Sequence, residues 1–141
     1  MIVIAGGTGV APVRGVIDAL AKTKAPKDKH VIVGFRSPSD MLFRDDLKRW
    51  DEALDLILTV DGAPEGYEGK IGLVTKYIPE VEIRDVGNAK AVVVGPPPMM
   101  RFSVMGLLQL HQSVFLHHSH ALNLYVQLQQ RRLLVVHCLL L

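Results

Sequence analysis

Hydrophobic and polar positions along the first hundred residues fall into two alternating patterns. Residues 1–5 (MIVIA) form a short β-branched run that stops at Gly6-Gly7, and within 13–22 the apolar residues Val13, Val16, Ile17 and Leu20 recur at helical spacing. A strand, a tight turn and a helix are predicted. The runs HVIVGF (30–35), DMLFRDDLKRW (40–50), LDLILTV (54–60), GLVTKYI (72–78) and AKAVVVG (89–95) follow. Two of them, 30–35 and 91–94, are continuously apolar instead of alternating, as strands covered by helices on both faces are. Beyond Gly95-Pro96-Pro97-Pro98, MMRFSVMGLLQL (99–110) reads as a helix and LNLYVQL (122–128) as a last strand. The prediction is an α/β fold: a doubly wound, mainly parallel sheet of about five strands with right-handed crossovers.

Composition narrows the class. With 141 residues, 49% hydrophobic and 21% charged, the chain is long enough to bury a core as one domain, which excludes disorder, collagen and a disulfide scaffold. Lys+Arg 16 against Asp+Glu 14 leaves a charge of +2, and no basic cluster carries interleaved aromatics, so a nucleic-acid footprint is absent. The single cysteine, Cys138, makes neither an internal disulfide nor a metal site alone. No secretion signal and no transmembrane helix are predicted, and a cytoplasmic location is expected. The chain changes character near residue 110: none of the 14 acids lies in the last 41 residues, which hold His111, His117, His118, His120 and His137. We therefore divide it into a core of 1–110 and an atypical tail of 111–141. That tail is a buried helix and strand, an interface segment, or sequence read in an altered frame, and its apolar residues favour self-association.

The chemistry gathers at strand ends. Gly6-Gly7-Thr8-Gly9-Val10-Ala11-Pro12 follows the first strand and opens the first helix, where glycines let a backbone approach phosphates and a helix start offers free N–H groups. Pro12 is placed at the first helical position. The motif is not G-x-G-x-x-G, and a plain glycine turn is an equal alternative on spacing alone. Gly95, Pro96 and Pro97 end another strand directly before a helix, so the two turns would frame a crevice. Met99 and Met100 suit core packing as well as a site. Arg36 and Asp61 end the second and third strands. Asp45-Asp46 and Lys48-Arg49 read as a solvated helix face, and the tail histidines, with no carboxylate near, do not suggest a metal site.

GGTGVAP, VGFRSPSDMLFRDDL, LTVDGAPEGYEGKIGLV and VVVGPPPMM, in that order over about residues 2–108, resemble the nicotinamide-binding domain of the ferredoxin–NADP reductase family. The likeness is closest to the branch supplying electron-transfer subunits to cytosolic NiFe hydrogenases, anaerobic sulfite reductase and dihydroorotate dehydrogenase. It implies that Gly7, Thr8, Gly9 and Pro12 hold the pyrophosphate of NAD(P)H, and that Gly95, Pro96, Pro97 and Met99 place the nicotinamide. Arg36 and Asp61 would meet the adenosine half. Three departures stand out: no flavin-binding barrel precedes the first strand, Cys138 alone replaces the cysteine cluster of a [2Fe–2S] centre, and Val94 stands where many members have Cys. The chain is thus expected to be the NAD(P)H-binding part of a flavin-dependent oxidoreductase subunit, a fragment or the product of a broken gene. FAD and [2Fe–2S] belong to the complete subunit, which would serve a hydrogenase-type or other redox partner, and the isolated chain is expected to be inactive. The alternatives are a non-catalytic nucleotide-binding module in a larger complex and a generic α/β binding domain. Arg36 favours a 2′-phosphate and Asp61 opposes one, which leaves NADH and NADPH both open.

Overall fold

The computed structural model describes residues 1–23, 29–84, 88–118 and 135–139, with side chains as far as residue 110. Six parallel strands, β1 (Ile2–Gly6), β2 (His30–Phe35), β3 (Asp55–Val60), β4 (Lys70–Ile71), β5 (Lys90–Val94) and β6 (Val135–Leu139), form one sheet in the order β4-β3-β2-β1-β5-β6. The helices are α1 (Val10–Ala21), α2 (Arg44–Ala53) and α3 (Pro97–His118), with short 3-10 helices at Gly7–Gly9, Pro38–Asp40 and Val74–Glu80.

Strand side chains alternate between the two faces, and both faces are covered. Val3, Ala5, Val31 and Val33 pack with Val10, Val13 and Ile17 of α1 and Leu47 and Trp50 of α2. Ile2, Ile4, Ile32 and Ile57 pack with Met100 and Leu107 of α3 and Val74, Tyr77 and Ile78 of the last 3-10 helix. This double cover is why the central strands are apolar without alternation. Gly34 lets the 3-10 helix lie on β2, because a Cβ there would overlap Val74 Cγ1.

Several expectations are corrected in detail. Residues 72–78 follow the two-residue strand β4: Gly72 and Leu73 form a bend, and the rest belong to the 3-10 helix Val74–Glu80. Pro12 is the third residue of α1, because the Gly7–Gly9 turn winds directly into the helix; its missing N–H still falls among the first-turn donors without an intrahelical partner. The edge beside β5 is held by β6, with Ala91 opposite Val136 and Val93 opposite Cys138. Residues 122–128, expected as a last strand, lie outside the described residues. Among the described residues no helix is long and apolar enough to cross a membrane.

Candidate functional site

The chain leaves β1 for β2 on one side and returns through β5 on the other, so the β1/β5 pair is the topological switch point of the sheet. Both glycine-bearing turns sit at its carboxyl edge. Ala5 is opposite Val94 in register, and the turns beyond them touch through backbone. A Cβ added to Gly9 would lie 2.7 Å from the Val94 carbonyl oxygen and 3.1 Å from Gly95 Cα. One on Gly95 would lie 2.6 Å from Met99 Cε and 3.3 Å from the Gly6 nitrogen. Met99, half-buried, thus wedges between the two turns, while Pro96 and Pro97 are exposed.

Gly7 differs from Gly9. Its φ is +56°, and a Cβ there would meet nothing within 4 Å, so the turn presents an open ledge with Thr8 exposed beside it. Behind the ledge α1 begins with no side-chain cap and no acidic residue in its first turn. The positive end of the helix therefore faces the ledge uncompensated, which suits an anionic group.

Arg36 and Asp61 stand along the same edge, at the ends of β2 and β3. The Asp61 N–H donates to the Phe35 carbonyl at 2.9 Å and the Gly62 N–H to the Arg36 carbonyl at 3.1 Å, which fixes the two strand ends side by side. Both side chains are exposed, and neither forms an ion pair among the described residues. In the turn that follows β2, the Ser37 hydroxyl donates to Asp40 Oδ2 at 2.7 Å and so accepts from Ser39, also at 2.7 Å. All ten sequence-predicted site residues lie at this carboxyl edge: seven at the switch point, Arg36 and Asp61 further along, and Pro12 in the first turn of α1.

Two half-open hollows lie elsewhere. One, of about 510 Å³, is walled by Met41, Arg44 and Lys48 on one side and by Leu56, Leu58 and Lys70 on the other, beside the partly paired edge of β3. A second, of about 230 Å³, lies at the opposite end of the strands, by Met1, His30 and Arg84. Neither contains a residue of the glycine turns. We place the site on topology and backbone chemistry, since an open ledge encloses little volume by itself.

One assignment is overturned here. Asp46 is not on a solvated face: it is only 6% exposed, because its side of α2 turns toward α1, where Arg14 Nε meets its carboxylate at 2.6 Å. Sequence reasoning also missed Arg14. The available signal was the buried stripe of Leu47 and Trp50 beside Asp46.

Comparison with known proteins agrees with this fold. The chain is 36% identical over 118 residues to nitrate reductase [NADH] 2 of Arabidopsis thaliana, which covers 77% of this chain and 13% of that protein. It is 32% identical over 113 residues to NADH-cytochrome b5 reductase 1 of Scheffersomyces stipitis, 74% of this chain and 40% of that one. The chain therefore spans well under half the length of these relatives. Its fold superposes on the cytochrome b5 reductase domain of Ulva prolifera nitrate reductase with a TM-score of 0.66 at 23% identity, covering 77% of this chain and 43% of that one. The family model described as oxidoreductase NAD-binding domain matches residues 3–104, and the chain belongs to that family.

Proposed function

We propose that the chain is the NAD(P)H-binding portion of a flavin-dependent oxidoreductase, and that NADH is its coenzyme. The observation that carries this reading is the backbone contact between two glycine-bearing turns at the switch point, beside an open ledge at the uncapped start of α1. A dinucleotide would lay its pyrophosphate on Gly7, Thr8 and Gly9 against the α1 N-terminus. Gly95, Pro96, Pro97 and Met99 would form the floor for the nicotinamide, and Arg36 and Asp61 would face the adenosine half. When bound, the nicotinamide supplies hydride chemistry to a flavin held on a separate domain; the residues of this chain bind and orient it. No acid or base of this chain is needed for that step.

Two features favour NADH. The relatives above carry NADH in their names, and the exposed Asp61 carboxylate beside Arg36 would repel a 2′-phosphate. The finer expectation of a hydrogenase-type partner with an iron–sulfur centre draws no support from these relatives, so the acceptor is proposed only as a flavin domain. Titration of the chain with NADH and NADPH tests the reading. NADH binding should be the tighter, and Asp61→Asn should narrow the difference. Absence of binding by either nucleotide overturns it, and binding without electron transfer to an added flavin domain favours a non-catalytic module.

A further inference from the structure

Arg14 leaves α1 two residues after Pro12. Its guanidinium lies 4.8 Å over the Phe43 ring, and its Nε donates to Asp46 Oδ2 at 2.6 Å. The other Asp46 oxygen takes Arg49 Nη2 at 2.8 Å, and Arg49 also reaches Asp18 Oδ1 at 2.7 Å. That same Asp18 oxygen accepts the Trp50 indole N–H at 2.8 Å. Charges thus alternate from α1 to α2 and back: Arg14, Asp46, Arg49, Asp18. Phe43, which starts α2, has φ +54° and is the one non-glycine residue at positive φ among those described. A bulky residue is rarely held there without a compensating contact, and Arg14 supplies one. The next residue, Arg44, donates to the Pro38 carbonyl in the turn that follows Arg36. An unbroken path of contacts therefore joins the helix behind the Gly7–Gly9 ledge to the segment 36–40 at the adenosine end.

Adhesion of the two helices does not require this network. Val13, Ile17, Leu47 and Trp50 already share one apolar core, and a buried carboxylate held by arginines adds desolvation cost in return for fixed geometry. We propose that Arg14 and Asp46 are positioning residues for the dinucleotide: they hold the α1 N-terminus and segment 36–40 at the spacing at which one ligand engages both. This rests on the coenzyme reading above, and it predicts an effect on ligands that span the two halves and little on those that fill one.

The test uses the full chain with Asp46→Asn, Arg14→Met and the double variant, and measures dissociation constants for NADH and for AMP. Each single variant should weaken NADH about tenfold and leave AMP within about twofold, and the double variant should be no worse than the singles because they break one brace. Unchanged NADH affinity in folded variants, or parallel losses for NADH and AMP, overturns the brace and leaves the coenzyme reading standing. A wild-type chain that does not bind NADH overturns both. Should Asp46→Asn fail to fold, Arg14→Met decides, since that side chain is 47% exposed.

Discussion

Gly7 and Gly9, two residues apart in one turn, are glycines for different reasons. Gly7 needs its left-handed φ of +56° but has free space beyond it; Gly9 has ordinary backbone angles but no space, with the Val94 carbonyl where a Cβ would stand. Gly7→Ala should therefore fold, at a strain cost of about 1–2 kcal/mol, and show its defect in NADH affinity. Gly9→Val forces backbone apart and should lose about 3 kcal/mol or more of stability, so thermal melts of the two variants should differ widely; similar melts would mean that the turns do not touch. Asp18 supplies a second prediction at this scale. The Trp50 indole N–H, foremost, and then Arg49 hold its carboxyl below the ordinary 3.8, against the opposing effect of burial. A depressed folded value means stability that is present above 3.8 and lost as pH falls through the folded value. Urea unfolding followed by Trp50 fluorescence should show Asp18→Asn weaker than wild type near neutral pH, with the gap closing below about pH 4. A gap that persists there would remove ionisation from the explanation.

Whole elements depend on side chains that close their ends. Lys29 is only 8% exposed, and its ammonium donates to the Leu20 carbonyl at 3.3 Å, the Thr23 carbonyl at 3.0 Å and the Thr23 hydroxyl, tying the last turn of α1 to the residue two beyond its end. Lys29→Met keeps the stem and removes three donated bonds, so urea unfolding should show a loss of about 1–3 kcal/mol; no loss would mean that water serves those carbonyls equally well. Nothing in the local pattern of residues 20–29 announces this cap, since it joins a strand start to a helix end. The elements that were legible are those whose signal is local. β1, β2 and β5 are continuous apolar runs, and α1 and α2 carry helical spacing. The 3-10 helix at 74–80 was not legible, because Val74, Tyr77 and Ile78 are three buried residues in one short segment, too few to fix a period. Strand β4 exists only through its register with Thr59 and Val60. The site divides the same way: Gly7, Gly9 and Gly95 could be picked out because a left-handed turn at Gly7 and close packing at Gly9 and Gly95 both favour glycine, whereas Asp46 looked like any exposed helix acid until α1 was placed beside it.

At the scale of the whole molecule the sheet has two ends, and they are managed differently. At one end β4 pairs with only Thr59 and Val60 of β3. At the other β6 covers all of β5, from Lys90 opposite Val135 to Val94 opposite Leu139. The acid-free tail suggested that removal of its last residues would make the chain less adhesive. The position of β6 reverses that expectation. β5 is a core strand: Ala91 and Val93 are fully buried on one face, Val94 on the other, and its end carries the Gly95 turn that touches Gly9. Truncation after Gln130 strips β6 and leaves a row of backbone N–H and C=O groups along an apolar strand, the condition under which sheets pair edge to edge between molecules. We expect the truncated chain to melt at least about 4 °C lower and to sediment as larger species than the full chain at equal concentration. NADH affinity should fall as well, because loosening β5 moves the Gly95 turn, which packs against the ledge at Gly9. A truncated chain that stays monomeric with an unchanged melt would show that the sheet ends at β5 and that residues 135–139 add nothing to it.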